Sequence, residues 1–233
     1  SSQEFEIFPR ITNKNGTVYS ENSALSDYEG FIYGMAIDIG TTTVAFNIVN
    51  LESGQIIYTG SFENPQNFGG SDIMRRISYD STPFRGELQK AIISSINHEI
   101  RNACRLLRIR RKHIYEILVV GNSTMRDLFF GLDIQSIGQK PYKSLTEHEL
   151  NQGKRHSTTL YSTAKELGIQ MSQQGLVYGV PIIASHIGAD VAADLIATRM
   201  DVADDKIQML IDIGTNTEVV IGNKHGMLAA SCP

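Results

Sequence analysis

The stretch MAIDIGTTTVAFNIVN occupies residues 35–50, and MLIDIGTNTEVVIGN occupies residues 209–223. Between Ile37–Thr43 and Ile211–Thr217 six of seven residues are identical; only Thr42 becomes Asn216. Each copy alternates apolar and polar residues on both sides of a Gly-Thr turn, which reads as strand, turn, strand. The spacing is too long for a solenoid unit, so the copies mark two related subdomains.

The turn itself carries chemistry. Asp38, at the end of a buried strand, places a carboxylate at the sheet edge, where it can hold a hydrated Mg²⁺. Gly40 lets the backbone turn tightly and approach a ligand closely. Thr41, Thr42 and Thr43 add hydroxyls to exposed backbone N–H groups, a set suited to phosphate oxygens. Asp212, Gly214, Thr215, Asn216 and Thr217 offer the same groups in the second copy. Two such turns facing across a cleft would clamp a polyphosphate and its metal from both sides. An ordinary hairpin also uses Gly and Thr, but it does not demand Asp, Gly and Thr at the same places twice.

Outward from the first copy, Gly34–Asp38, Val44–Asn50 and Gln55–Phe62 read as an antiparallel meander. The period then switches: Leu88, Ile92, Ile93, Ile96, Ile100 and Cys104 fall at helical spacing within Glu87–Leu107. Ile114–Val120 reads as a buried strand, and GNSTMRDLFFG (121–131) as a loop and short helix capped by Ser123 or Thr124. Residues 132–175 are polar and read as an insertion with one short helix near Ser162–Leu167. Leu176–Ala184 is expected to be a strand, Gly188–Met200 a helix, and Ile207–Asp212 the strand that opens the second copy. Residues 1–31, rich in Asn, Ser, Glu and Gly, read as a linker or tail from an upstream domain. The expected fold is therefore α/β, a mixed sheet flanked by helices over 32–203, with a second copy beginning at 204–233. A hairpin cannot build its own core, so further sequence is expected to complete that copy.

Composition sets outer limits. The chain is 41% hydrophobic and 20% charged, with a net charge of −4, which gives no global pull toward nucleic acid or anionic lipid. No apolar run approaches a membrane span, and the opening residues lack a signal-peptide layout. The two cysteines, Cys104 and Cys232, form neither a disulfide framework nor an iron–sulfur or zinc spacing, so a reducing cytoplasm is the expected setting.

Other residues admit two readings each. Asn122, Ser123 and Thr124 follow a buried strand, where they would either touch phosphate or cap a helix. His186 and Asp190 flank the HIGAD turn and are candidates for orienting an attacking water; a structural hydrogen bond and a helix-dipole contact are the plainer alternatives. The basic run RNACRLLRIRRKH (101–113) would either dock an acidic partner or form a solvated helix end. NPQNFGGSD (64–72) reads as a Gly-rich turn leading to a helix capped by Ser71 or Asp72.

The two turns resemble the first and second phosphate motifs of the actin, sugar kinase and heat-shock chaperone ATPase superfamily. Its fold is a pair of ribonuclease H-like subdomains around an ATP cleft. VPIIASHIGADVAADLIATRM (180–200) stands where that superfamily has its connecting helix. A closer resemblance is to the ATP-dependent reductive activators of corrinoid proteins. It rests on IDIGTTTVA, NPQNFGGSDIMRRI, VVGNSTM with FFGLD, ASHIGAD and LIDIGTNTEVVIGN, spread over roughly 36–233. That family usually has Gly where this chain has Thr217, and the resemblance also raises NPQNFGGSD (64–72) as a partner or cleft loop.

The resemblance implies an ATPase that drives a low-potential electron onto a Co(II) corrinoid, restoring Co(I). It implies ATP and Mg²⁺ as cofactors, with Asp38 and Asp212 holding the metal through water. Gly40, Thr41, Thr42, Thr43, Asn122, Ser123, Thr124, Gly188, Gly214, Thr215, Asn216 and Thr217 would lie at the nucleotide, and Asp38, Asp212, His186 and Asp190 at the chemistry. A [2Fe–2S] cluster is expected only in an upstream ferredoxin domain. The expected partner is a corrinoid protein, either a corrinoid iron-sulfur protein or a methyltransferase corrinoid subunit; a homodimer is left open. The competing readings are a small-molecule kinase, with Asp190 as its catalytic acid group, and a non-enzymatic nucleotide- or protein-binding module.

Overall fold

A computed structural model describes residues 10–200, 202, 205–214 and 216–232. Three short strands come first: β1 (Ile11–Lys14), β2 (Thr17–Ser20) and β3 (Ser23–Asp27), paired antiparallel in their own sheet. The described part of the segment expected to be a linker is thus folded. Its anchor is small: Ile11 and Val18 bury against Ile32 and Tyr115, with Leu25, Tyr28 and Leu51 around them. Glu29, which follows, is gripped by Lys112, by His113 at 2.9 Å and by Arg110 at 3.3 Å. Hydrogen bonds from Lys112 and then His113 pull its carboxyl down to about 2. Part of the basic run therefore ties this small sheet to the body, a use that charge pattern alone does not disclose.

The first copy of the repeat builds the centre of the main sheet. β4 (Tyr33–Ile39), β5 (Thr43–Asn50) and β6 (Ile56–Glu63) form the expected meander. Helix α1 (Ile73–Tyr79) is capped by Asp72, whose carboxylate accepts the Arg75 N–H at 2.9 Å. Helix α2 (Glu87–Leu107) follows, then β7 (Ile114–Val120), which pairs parallel with β4. Helix α3 (Ser123–Phe129) is capped by Asn122, not by Ser123 or Thr124, because Asn122 alone stays extended and accepts the Met125 N–H.

The stretch 132–175 holds more order than one short helix. It contains α4 (Leu145–Asn151), the edge strand β8 (Leu160–Thr163) and the one-turn helix α5 (Ala164–Leu167). Strand β9 (Leu176–Gly179) is shorter than expected; Pro181 has no N–H with which to continue the ladder. Helix α6 (Ala189–Ala197) leads to a second antiparallel sheet of β10 (Gln208–Ile213), β11 (Thr217–Asn223) and β12 (Gly226–Cys232).

The main sheet runs β6-β5-β4-β7-β9-β8, with β4, β7 and β9 parallel and the other neighbours antiparallel. Without β8 this is the strand order of a ribonuclease H-like, actin-type ATPase subdomain, as expected. Strand alternation divides its faces. Ile117 and Val119 of β7 join Met35, Ile37 and Ile39 of β4 under α2, through Leu88, Ile92, Ile96 and Ile100. Leu118 and Val120 point the other way, onto Ala189 and Ala192 of α6. A neighbouring face of α6, with Val191 and Leu195, packs on Leu210 and Val220 of the second sheet. Helix α6 is thus the wall shared by both copies of the repeat. Among the described residues no helix is long and apolar enough to cross a membrane.

Candidate functional site

Asp38 is the sixth residue of β4 and pairs in register with Val120, so it projects toward α6 rather than toward α2. Asp212 in β10 stands opposite Glu218 of β11, on the same face as Leu210 and Val220, which also meets α6. Asp190 occupies the first turn of α6, and Asp194 the next. The equivalent aspartates of the two copies thus stand on the two sheet faces that pack on one helix, near enough for Asp212 to act on Asp38.

The carboxylates feel one another. Asp38 is open to water yet recessed; desolvation, then Asp212 and Asp194, push its carboxyl up. Asp190 is pushed up to about 7, first by desolvation, with Asp38, Asp212 and Glu218 adding to the rise against one hydrogen bond from Val191 N–H. Asp194 rises through desolvation and Asp212. Glu218 rises through desolvation and then Asp212, against the hydrogen bond from Ser231. Among the described residues no cation forms a salt bridge with any of these five acids. The mutual shifts make the region around these acids a negatively charged one.

No three acidic, His or Cys groups among the described residues stand close enough to hold a metal directly.

The turn after β4 is shaped to one geometry. A Cβ on Gly40 would stand 2.5 Å from the Thr43 carbonyl, so no other residue fits. The three threonines differ. Thr41 is buried; its Oγ1 accepts from Asn122 Nδ2 at 3.3 Å. Thr42 and Thr43 are exposed and free to meet a ligand. Asn122 thus caps α3 and braces the turn at once. Ser123 and Thr124 are buried beneath the loop, with the Ser123 hydroxyl 3.4 Å from the Ala184 carbonyl, so their side chains do not reach the recess. His186 is exposed at the tip of the Ala184–Ile187 turn. Gly188 lies tightly packed where α6 begins; an added Cβ would come within 2.6 Å of both Asn122 Cα and Asp190 Oδ1. In the second turn Gly214 is exposed, while Asn216 and Thr217 are half-buried. Thr215 lies outside the described residues.

Two contributors escaped the sequence reading. Asn64 donates through Nδ2 to the Gly40 carbonyl at 2.8 Å, and Arg76 donates to the Thr41 carbonyl at 2.7 Å. Both come from NPQNFGGSDIMRR, whose residues read as a turn and helix and which only the resemblance raises as a partner or cleft loop. The available signal was Arg76 itself, a cation between Ile73 and Ile77 on the apolar side of α1.

The strand order, with α6 between the two sheets, gives the chain an actin-like ATPase-type fold. A family model described as the RACo middle region matches residues 33–203, and the chain belongs to that family. The chain is similar to a protein named corrinoid activation enzyme RamQ from Eubacterium limosum, 28% identical over 205 residues, covering 86% of this chain and 32% of that protein. It is also similar to a solved structure titled reductive activator for corrinoid,iron-sulfur protein. That match has 33% identity and a TM-score of 0.81, over 95% of this chain and 34% of the other. The chain thus spans about a third of the length of these relatives.

Proposed function

We propose that this chain is the part of a corrinoid-protein reductive activator that holds the phosphates and metal of ATP. The observation that carries the reading is that Asp38 and Asp212, the same residue in both copies, lie on the two sheet faces that pack on α6 and act on each other electrostatically. Membership of the RACo middle region family and the similarity to a corrinoid activation enzyme support the direction of the reaction.

In this reading Asp38 and Asp212 hold the inner water shell of Mg²⁺, and Thr42 and Thr43 meet the phosphates. Bound Mg²⁺ supplies charge neutralisation for the phosphates. Asp190, already held near pH 7, is the group best placed to take up or orient a proton from water. Because α6 contacts both sheets, nucleotide binding across them changes the packing on each side of this helix. A surface that differs between the ATP and ADP states then binds the corrinoid partner differently, which is the source of the coupling energy. The electron arrives from a group outside these residues.

The deciding experiment measures ATP hydrolysis by the full-length protein with and without a Co(II) corrinoid protein, alongside the absorbance of Co(I). Stimulated hydrolysis with ATP-dependent appearance of Co(I) is expected. Hydrolysis indifferent to corrinoid protein, together with phosphorylation of a metabolite, would show a kinase instead.

A further inference from the structure

Arg76 is wholly buried, at 0% exposure. A guanidinium is tolerated in such a place only when its donors are matched. Nη2 donates to the Thr41 carbonyl at 2.7 Å and to Asn67 Oδ1 at 2.8 Å. Nε donates to the Gly70 carbonyl at 2.9 Å, and Nη1 reaches the Met125 sulfur at 3.2 Å and Gln66 Oε1 at 3.5 Å. Every acceptor is neutral. Among the described residues no carboxylate stands within ion-pair distance; the acid that acts on Arg76, Asp72, is itself paired with the exposed Arg75. A positive charge without an ion-pair partner among the described residues therefore sits one carbonyl behind the turn.

Asn64 completes the arrangement. Its side chain holds the Gly40 carbonyl at 2.8 Å, and its own N–H donates to the Thr42 carbonyl at 2.7 Å. The carbonyls of Gly40, Thr41 and Thr42 are thus all drawn to the α1 side. In a trans peptide the carbonyl of one residue and the N–H of the next point in opposite directions. The N–H groups of Thr41 and Thr42 consequently face away from their tethers, and among the described residues neither has a protein acceptor. Side chains 24 and 35 positions distant fix the direction of two free donors.

We infer that Arg76, with Asn64, is a positioning residue for the phosphate turn: it aims the Thr41 and Thr42 amides, and its charge adds to their pull on a polyphosphate. The inference rests on the nucleotide reading above. A fixed cation this close to the turn also offsets the repulsion that the acidic recess exerts on phosphate before metal arrives. It touches no ligand itself; it acts through the Thr41 carbonyl.

The test compares wild type, Arg76→Met and Arg76→Lys in the full-length protein, titrated calorimetrically with Mg-ATP and with AMP. Methionine keeps much of the side-chain volume and loses charge and donors; lysine keeps charge but loses the fork. Arg76→Met is expected to weaken Mg-ATP by about tenfold or more while AMP changes by less than about threefold, and Arg76→Lys to fall between. General loosening would weaken both nucleotides by one factor, and that result would overturn the inference. So would Mg-ATP affinity within about twofold of wild type in folded Arg76→Lys, the decisive variant if the methionine protein does not fold. Asp38→Ala serves as the reference: if it abolishes binding while both Arg76 variants match wild type, the nucleotide reading stands and this inference falls. Absence of nucleotide binding by folded wild type would sink both.

Discussion

The N–H of Ala189 donates to the Gly121 carbonyl at 3.0 Å, seating the first turn of α6 on the end of β7. Gly188 makes this possible, since a Cβ there would stand 2.7 Å from the same carbonyl. Its φ of −76° suits any residue, so only space is at issue. Gly188→Ala must push α6 away from Asn122, at a cost of about 1–3 kcal/mol. A urea midpoint equal to that of wild type would show that the junction yields freely. Because Asp190 moves with the helix, Mg-ATP affinity should fall in the same variant.

The raised acids make stability depend on pH. Asp190 ordinarily titrates near 3.8 and is raised to about 7 in the fold. Between those values the native state holds a proton that the unfolded chain has released. The stabilisation from this group is therefore complete below about pH 4 and is lost as pH rises through about 7. Asp38, Asp194 and Glu218 shift in the same direction. Without Mg²⁺ the protein should be more stable at pH 5 than at pH 8, by about 1–3 kcal/mol. Asp190→Asn should flatten that difference, and Mg²⁺ should stabilise more at pH 8 than at pH 5. Equal melting temperatures across the range in wild type would contradict this account.

How much of this was legible follows from where the information lies. Helix α2 and strand β7 match the expected bounds because every residue of the pattern is local: Leu88 to Cys104 at helical spacing, Ile114 to Val120 as one apolar run. The doubled IDIGT marks the turns for the same reason. The small sheet β1–β3 was not legible because Val18 and Ile11 bury against Tyr115, nearly a hundred residues later, amid otherwise polar strands. Arg76 was missed likewise; its partners at Thr41 and Asn67 meet it only in the fold.

Arg126 and Asp127 form a second buried charge system, both at 0% exposure. Arg126 Nη2 stands 2.7 Å from Asp127 Oδ1, and Nη1 donates to the carbonyls of Thr158 and Val180. Ser144 donates to the other carboxylate oxygen at 2.6 Å. The pair joins α3 to the end of β9 and to the start of α4. Asp127→Ala strands a buried guanidinium and should cost about 3–5 kcal/mol in urea unfolding. Replacing both by Met and Leu should cost less than Asp127→Ala alone, since no charge is then left unpaired. A double variant weaker than the single would show that the hydrogen bonds to Thr158 and Val180 dominate.

The cysteines should differ in reactivity. Cys104 lies in the core of α2, where burial pushes its thiol up to about 11, while Cys232 is exposed on β12. Alkylation of the native protein at pH 8 should therefore modify Cys232 and spare Cys104 until the protein unfolds. Mass spectrometry of peptides after brief labelling distinguishes them, and equal labelling of both would mean that α2 opens readily.

Asp38 offers the sharpest contrast between stability and function. Its charge is disfavoured in the folded recess, by desolvation first and by Asp212 and Asp194 after it. Asparagine has the same shape without the charge, so Asp38→Asn should raise the melting temperature slightly at pH 8 when Mg²⁺ is absent. On the proposed reading the same variant also removes a carboxylate that would hold the water of the metal, and should weaken Mg-ATP at least about tenfold. Asp212→Asn should weaken binding too if, as proposed, the equivalent aspartates of both copies hold the water of one ion. If Asp38→Asn gained stability yet kept wild-type Mg-ATP affinity, the repeated turn would be a structural hairpin. Loss of binding in one variant and not in the other would place the metal on a single turn.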